Sequence, residues 1–484
     1  MTEWEIAARV DRWAREHRPE LVEDLIRVVN EESVSRPGEG GFAMGCGCKR
    51  CADVFLSMGE RYGFETENDD YYCVSILHRG ASEHELGILG HMDVVPAGNG
   101  WHYEPYSAVE RDGYVIGRGS SDNKGPTVMS LYVLRCIRDL NIPMRRTLRL
   151  IAGFNEESGM KDVEHYLQGH TPPDYTLICD GAWAMCIGEK GVLTADLILP
   201  VRPANLLELN GGVASNSVPD AASAKLRHVD KDALEALCAM PGVDVETTPD
   251  GVVIRAHGKA AHVLAPEQGV NAIYRLLEIL CSLHLETGEA LHSLETLRSC
   301  FPDHFGTGLG ISFEDDLSGK TTCVGGMLRY EGGVLRQNIN VRYAIRQDSD
   351  ALLKALRERC ASLGIGIENL TYSAPRYTPP DSPVPKLLMN TCHEFLKKPY
   401  EPYVMGGGTH ARKFPNALPF GPGLMDFKGA FGSPHGIDEA MLIDLLIDAM
   451  KVYVIALMRL DRYFESELVA GTQPAENKET EETL

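Results

Sequence analysis

The sequence predicts an α/β protein, with a mainly parallel sheet flanked by helices, whose chain is interrupted by an inserted α+β lid domain. Three observations carry this. Short apolar runs at 86–91 (LGILGH), 147–154 (TLRLIAGF) and 175–180 (YTLICD) each end at or just before a polar residue, as buried strands do when a site lies at their C-terminal ends. A helical pattern separates the first two runs. Beyond about 185 the pattern changes to longer, partly alternating strands, and the 484 residues exceed the ~250–300 at which a single core stops growing.

Taken in order, residues 1–184 form the first part of the α/β domain, 185–380 the insert, 381–470 the second part, and 471–484 a polar, disordered acidic tail. The helix after residue 125 has Pro126 in its first turn, and Met129, Val133, Cys136, Ile137 and Leu140 recur on one face. In the insert, 191–201, 251–256, 321–330 and 337–345 read as strands. Helices are expected at 269–284 and 350–363, the second opened by Asp348 or Ser349 and closed at Gly364. After the proline-rich stretch 375–385, a helix over 439–460 carries Leu442, Leu445, Leu446, Ala449 and Tyr453 on one stripe.

Charge narrows the partners. The chain has 47 Lys and Arg against 69 Asp and Glu, a net charge of −22, which argues against nucleic acid and anionic membrane and is compatible with a cationic ligand. No apolar run is long enough to span a bilayer, and the start carries acids rather than a basic then apolar leader, so a cytoplasmic protein is expected. The 13 cysteines are odd in number and scattered, the pattern of reduced thiols rather than a disulfide framework. Cys46, Cys48 and Cys51 form a C-x-C-x₂-C cluster. Three thiols without a fourth ligand fall short of a structural zinc site, and the glycine-rich segment reads as a loop.

The chemistry-bearing residues lie at the strand ends. His91 and Asp93 form an H-x-D pair, in which one group can hold a metal while the other orients the ring. Asp122 lies in the glycine-rich turn GRGSSDNKGP (117–126), at a helix entrance where its carboxylate could bridge two cations or merely cap the helix. Glu156 and Glu157 are adjacent acids that repel unless a cation or a shared proton accommodates them. Asp180 follows the next strand, and His435 lies in a loop before the last helix. Each has a plainer reading as a cap or surface residue. Together, His91, Asp122, Glu157, Asp180 and His435 make a nitrogen and oxygen donor set suited to Zn²⁺, Mn²⁺ or Co²⁺.

The ordered series GHMDVVP (90–96), GRGSSDNKGP (117–126), FNEESGM (154–160), ICDG (178–181), NGGVASNSVPD (210–220), GKAAHVLAPEQGVNA (258–272), INVRY (339–343), GGGTHAR (406–412) and HGIDE (435–439) resembles the M20 metallopeptidases, nearest to their dipeptidase V-like and manganese-dependent bacterial branch. The resemblance covers nearly the whole chain. It implies a catalytic α/β domain with two divalent metal ions: His91 and Asp180 on one, Glu157 and His435 on the other, Asp122 across both. It further implies that Asp93 orients His91 and that Glu156 is the general base for a metal-bridging water. His262 would stabilise the oxyanion, and Asn216, Arg342 and Arg412 would contact substrate.

The implied reaction is hydrolysis of a dipeptide amide bond, with N-acyl amino acid deacylation as the alternative on the same centre and a catalytically silent binding protein as a third reading. Small peptides are the expected partners, and the state is monomer or homodimer. The sequence departs from the branch at His410, where tyrosine is usual, and in the GSP segment 432–434 before His435.

Overall fold

The computed structural model describes residues 1–396, 398–423 and 429–471. The tail expected from 471 therefore lies, from 472 onward, outside the described residues. The chain divides into two compact units: one comprises Met1–Ile187, Thr378–Tyr403 and the residues from Thr409 onward, and the other Gly188–Tyr377 with Val404–Gly408.

The first unit has the α/β architecture the sequence predicts. Its six-stranded sheet runs in the order Glu65–Asp69, Cys73–His78, Thr147–Gly153, Glu85–His91, Tyr175–Ile178 and Ala417–Pro419. The last four strands are mutually parallel, and the first two join antiparallel at one edge. Parallel strands need crossovers, and the helix Lys124–Asp139 supplies one. It is buried on every side from Lys124 to Ile137, so its apolar stripe is continuous with the core. The long helix Ile443–Gly471 packs beside it.

Two local expectations are corrected here. The stretch 439–460 is not all helix: Ala440–Leu442 is a short strand paired with Tyr114–Ile116, and the helix begins at Ile443. An apolar run that passes from strand into helix shows no break in periodicity. The cysteine cluster is not a loop either, since Cys46 opens the helix Cys46–Arg61. Gly47 lets that helix lie against the preceding chain, where a Cβ would meet the Glu32 carbonyl oxygen at 2.0 Å.

The second unit is an antiparallel eight-stranded sheet with helices. Its order is Val243–Thr248, Gly251–His257, Ala221–Leu226, Leu206–Gly211, Thr322–Glu331, Val334–Tyr343, Gly191–Pro200 and Gly366–Ser373. Along Gly191–Pro200, Leu193, Ala195, Leu197 and Leu199 are buried in alternation, which gives the sheet one core-facing side. The helices Ala272–Ser282, Gly288–Ser299 and Ser349–Ser362 contribute to the same core. All 13 cysteines are free, and all but Cys46 and Cys238 are buried. Among the described residues no helix is long and apolar enough to cross a membrane.

Candidate metal centre

Parallel strands in register bring the site together within the first unit. His91 ends its strand opposite Gly153, and Leu89 lies opposite Ile178, so all three strands finish on the same side of the sheet. Glu156 follows Gly153 by three residues and Asp180 follows Ile178 by two. Asn123 ties the helix entrance into this edge: its side-chain oxygen accepts the His91 N–H at 3.3 Å, and its amide donates to the Cys179 carbonyl at 2.8 Å. Gly90 makes the approach possible, because a Cβ there would come within 2.2 Å of Thr127 Oγ1. Asp122 is thereby delivered to the strand ends.

Asp122 divides its carboxylate between two imidazoles. Oδ1 lies 3.1 Å from His91 Nε2, and Oδ2 lies 3.2 Å from His435 Nε2. His435 Nε2 is also 2.9 Å from Glu157 Oε1, and His91 Nε2 is 3.8 Å from Asp180 Oδ2. Two overlapping groups, His91 with Asp122 and Glu157, and His91 with Glu156 and Asp180, place their ligand atoms within 4.8 Å of one another. All five expected metal ligands and Glu156 thus converge. Among the described residues no such group includes Cys46, Cys48 or Cys51, and burial pushes the Cys48 and Cys51 thiols up.

Asp93 is fully buried beneath the centre, and its contacts differ in detail from a simple ring-orienting pair. His91 Nδ1 is 3.0 Å from the Asp93 main-chain oxygen and 3.5 Å from its Oδ1. The carboxylate itself accepts the backbone N–H groups of Glu156 and Glu157, each at 3.1 Å. One residue therefore orients the imidazole and fixes the acidic turn.

The electrostatics are those of an anionic pocket. Burial, then repulsion from Asp122 and Glu157, pushes Asp180 up to about 7. Burial raises Glu156 well above the usual carboxylate range, with Asp180, Glu157 and Asp93 adding to the rise. Glu157 is raised by burial against the His435 hydrogen bond, while burial of Asp122 is overcome by hydrogen bonds from both histidines that hold it low. Hydrogen bonds to Asp122 and Glu157 lift His435 to about 10. Four carboxylates facing two imidazoles, with no thiolate among them, fit hard-to-borderline divalent cations.

The remaining candidates are not among the residues of these two groups. His262 and Asn216 are neighbours in the second unit: His262 pairs with Ser217 across a two-stranded ribbon, and Val263 N donates to the Asn216 carbonyl. Arg342, in the same unit, donates to Asn340 Oδ1 at 3.1 Å and to the Gly406 carbonyl at 3.4 Å. Arg412 belongs to the first unit, half-buried in the turn His410–Arg412.

Two features escape sequence reasoning. His410 is fully buried, its Nε2 lies 3.1 Å from Asp162 Oδ2, and its ring is 6.3 Å from that of His91. Glu439, four residues after His435, is buried beneath the Asp122 turn. The only signal for Glu439 is its place in the HGIDE motif; His410 stands out in GGGTHAR as the departure from tyrosine, but nothing in the sequence points to its burial or to Asp162 as its partner.

Comparison with known proteins adds a family. The model of peptidase family M20/M25/M40 matches residues 87–459. The chain belongs to that family. It is 31% identical to YtjP of Bacillus subtilis over 464 residues, covering 90% of this chain and 97% of the relative. It is 28% identical to the Beta-Ala-Xaa dipeptidase of Lactobacillus delbrueckii subsp. lactis, covering 91% and 95%. The fold is shared with the solved di-peptidase Dug1p of Saccharomyces cerevisiae (13% identity, TM-score 0.58, 96% of this chain and 99% of that one) and with human carnosine dipeptidase 1 (15%, 0.54, 94% and 100%). As a member of the M20 family this chain is a metallopeptidase, and the donor cluster at the strand ends is its candidate site for divalent metal.

Proposed function

We propose that this M20 chain is a dipeptidase that hydrolyses its substrate's amide bond with a pair of divalent ions, Zn²⁺ first and Mn²⁺ or Co²⁺ as alternatives. The observation that carries the pair is the Asp122 carboxylate, one oxygen on His91 and the other on His435. His91 and Asp180 would hold one ion, Glu157 and His435 the other, with Asp122 shared. Such ions, when bound, polarise the scissile carbonyl and acidify water.

The protein's own groups supply the proton traffic. Glu156 is buried and its carboxyl is raised, so it accepts a proton from water at a useful pH and passes it to the leaving amine. Asp93 holds Glu156 by its backbone and keeps His91 in one orientation. His262 is assigned to the developing oxyanion, Asn216 and Arg342 to the substrate, and Arg412 to a substrate carboxylate through its two-pronged guanidinium. The dipeptide substrate rests on the donor geometry together with the Beta-Ala-Xaa dipeptidase likeness over nearly the whole length of both chains. A cytoplasmic location accords with this reading.

The test is hydrolysis of a set of free dipeptides and their N-acetylated forms, after chelator treatment and after resupply of Zn²⁺, Mn²⁺ or Co²⁺ singly. Activity on free dipeptides that is lost on chelation and restored by metal is expected. Undiminished hydrolysis by a chelated, metal-free sample would refute the proposal, and preference for the acetylated forms would replace it with deacylation.

A further inference from the structure

Glu439 is in contact with neither imidazole, yet it binds the loops that carry both ends of the centre. Its Oε1 accepts Asp122 N at 3.0 Å, Ser121 N at 3.0 Å and Ser121 Oγ at 2.8 Å. Its Oε2 accepts Gly119 N at 3.0 Å and Arg118 Nη1 at 2.6 Å. Glu439 and Arg118 are both almost wholly buried, 1% exposed at the side chain. Arg118 then reaches forward through Nη2 to the His435 carbonyl at 3.3 Å. One carboxylate thus closes a ring: the Asp122 turn, Arg118, the His435 loop, and back to Glu439.

The His435 loop needs such a hold. His435 and Asp438 both have left-handed backbones, φ 61° and 52°, which a non-glycine residue keeps only when its surroundings fix it. Asp438 secures one side by accepting His102 N at 2.8 Å and Tyr103 N at 3.2 Å. Glu439 secures the other. By contrast His91 ends a sheet strand and Asp180 lies two residues beyond another, so the sheet sets their backbones, and Asp122 is what they share with this ring.

We propose that Glu439 is a positioning residue that sets the affinity of the ion on the His435 side, by holding Asp122 and His435 at their mutual spacing. This rests on the two-ion reading above. Replacing Glu439 with Gln puts an amide N–H₂ where two or three donors converge, so the acceptor on one side of the ring is lost. Outer partners of ligands are worth about 10–100-fold in metal affinity. The loss falls mainly on the ion held by Glu157 and His435.

The experiment is calorimetric titration of Mn²⁺ into metal-free full-length protein, with bound metal counted by elemental analysis, for the wild type, E439Q, E439D and the core control L457A. Two ions on the wild type are expected, and in E439Q the ratio of the second dissociation constant to the first should widen by at least about tenfold. E439D, which keeps the charge on a shorter arm, should fall between. L457A should lower the thermal midpoint without moving the ratio. If E439Q does not fold, E439D carries the comparison. Two ions on the wild type with an unchanged ratio in the Glu439 variants would overturn the positioning role alone. Fewer than two ions on the wild type would remove the two-ion reading and the inference with it.

Discussion

Asp93 holds Glu156 by the backbone rather than by the side chain: the Glu156 N–H donates to Asp93 Oδ1 at 3.1 Å, and Glu157 N–H donates to Oδ2. The carboxylate proposed to transfer protons and the neighbouring acid proposed as a ligand are thus aimed by one buried acid. Asp93→Asn keeps the shape but turns one acceptor into a donor facing an N–H. Steady-state kinetics should show kcat down by about 10–100-fold, the usual worth of such partners, with KM changed little. An unchanged kcat would show that the turn is held by the chain around it.

Glu156 itself should separate chemistry from metal binding. Glu156→Ala is expected to lower kcat by about 10²–10⁴, the usual contribution of general acid–base help, while metal content by elemental analysis stays near that of the wild type. Loss of metal in parallel with activity would instead make Glu156 a ligand beside His91 and Asp180, whose donor atoms lie within 4.8 Å of its own.

On the two-ion proposal, His435→Ala should remove the ion on its own side. With Glu157 and Asp122 left as the remaining donors there, elemental analysis is expected to find about one ion in place of two, since a dication site stripped of one of three protein ligands binds weakly. Retention of both ions at full activity would exclude His435 from the donor set.

How much of this was legible depended on distance along the chain. His91, Asp122, Glu157, Asp180 and His435 could be named because each lies in a compact motif at a strand or helix end and the ordered series of those motifs resembles the M20 family; local composition alone left each with a cap or surface reading. Glu439 sat in the same motif but stayed silent, because its partners are backbone N–H groups of residues 119–122, and backbone donors leave no mark in a sequence. The His410–Asp162 pair is tertiary in the same way. Glycine-rich composition concealed the Cys46–Arg61 helix, since glycine reads as a breaker even where, at Gly47, it serves close packing.

Metal uptake should release protons. In the metal-free protein Asp122 and Glu157 keep His435 protonated up to about 10, and Asp180 titrates at about 7. Both must be deprotonated to bind a cation, so apparent affinity rises with pH, by about tenfold per pH unit for each proton displaced. Between pH 6 and 8, binding should tighten as pH rises. Calorimetry in buffers of different ionisation enthalpy counts the protons, and a pH-independent affinity with none released would contradict the pocket's electrostatics.

Asp162 offers a stability test beneath the centre. Its buried carboxylate accepts Asn155 N and Val163 N, each at 2.8 Å, and lies 3.1 Å from His410 Nε2. Burial would raise the carboxyl, but the charge and hydrogen bond of His410 and the two backbone donors hold it below its ordinary value. A depressed native pKa contributes stability that is present above the unfolded value of about 3.9 and is lost as pH falls through the native one. Asp162→Ala orphans a buried imidazole and two N–H groups and should cost about 3–5 kcal/mol, read as a fall in the urea midpoint at pH 7. The gap between wild type and variant should begin to narrow as pH falls below the unfolded value of about 3.9 and go on narrowing down to the lowered native one. A gap of the same size at pH 7 and at pH 3 would mean that packing, not the carboxylate's charge, is what the substitution removes.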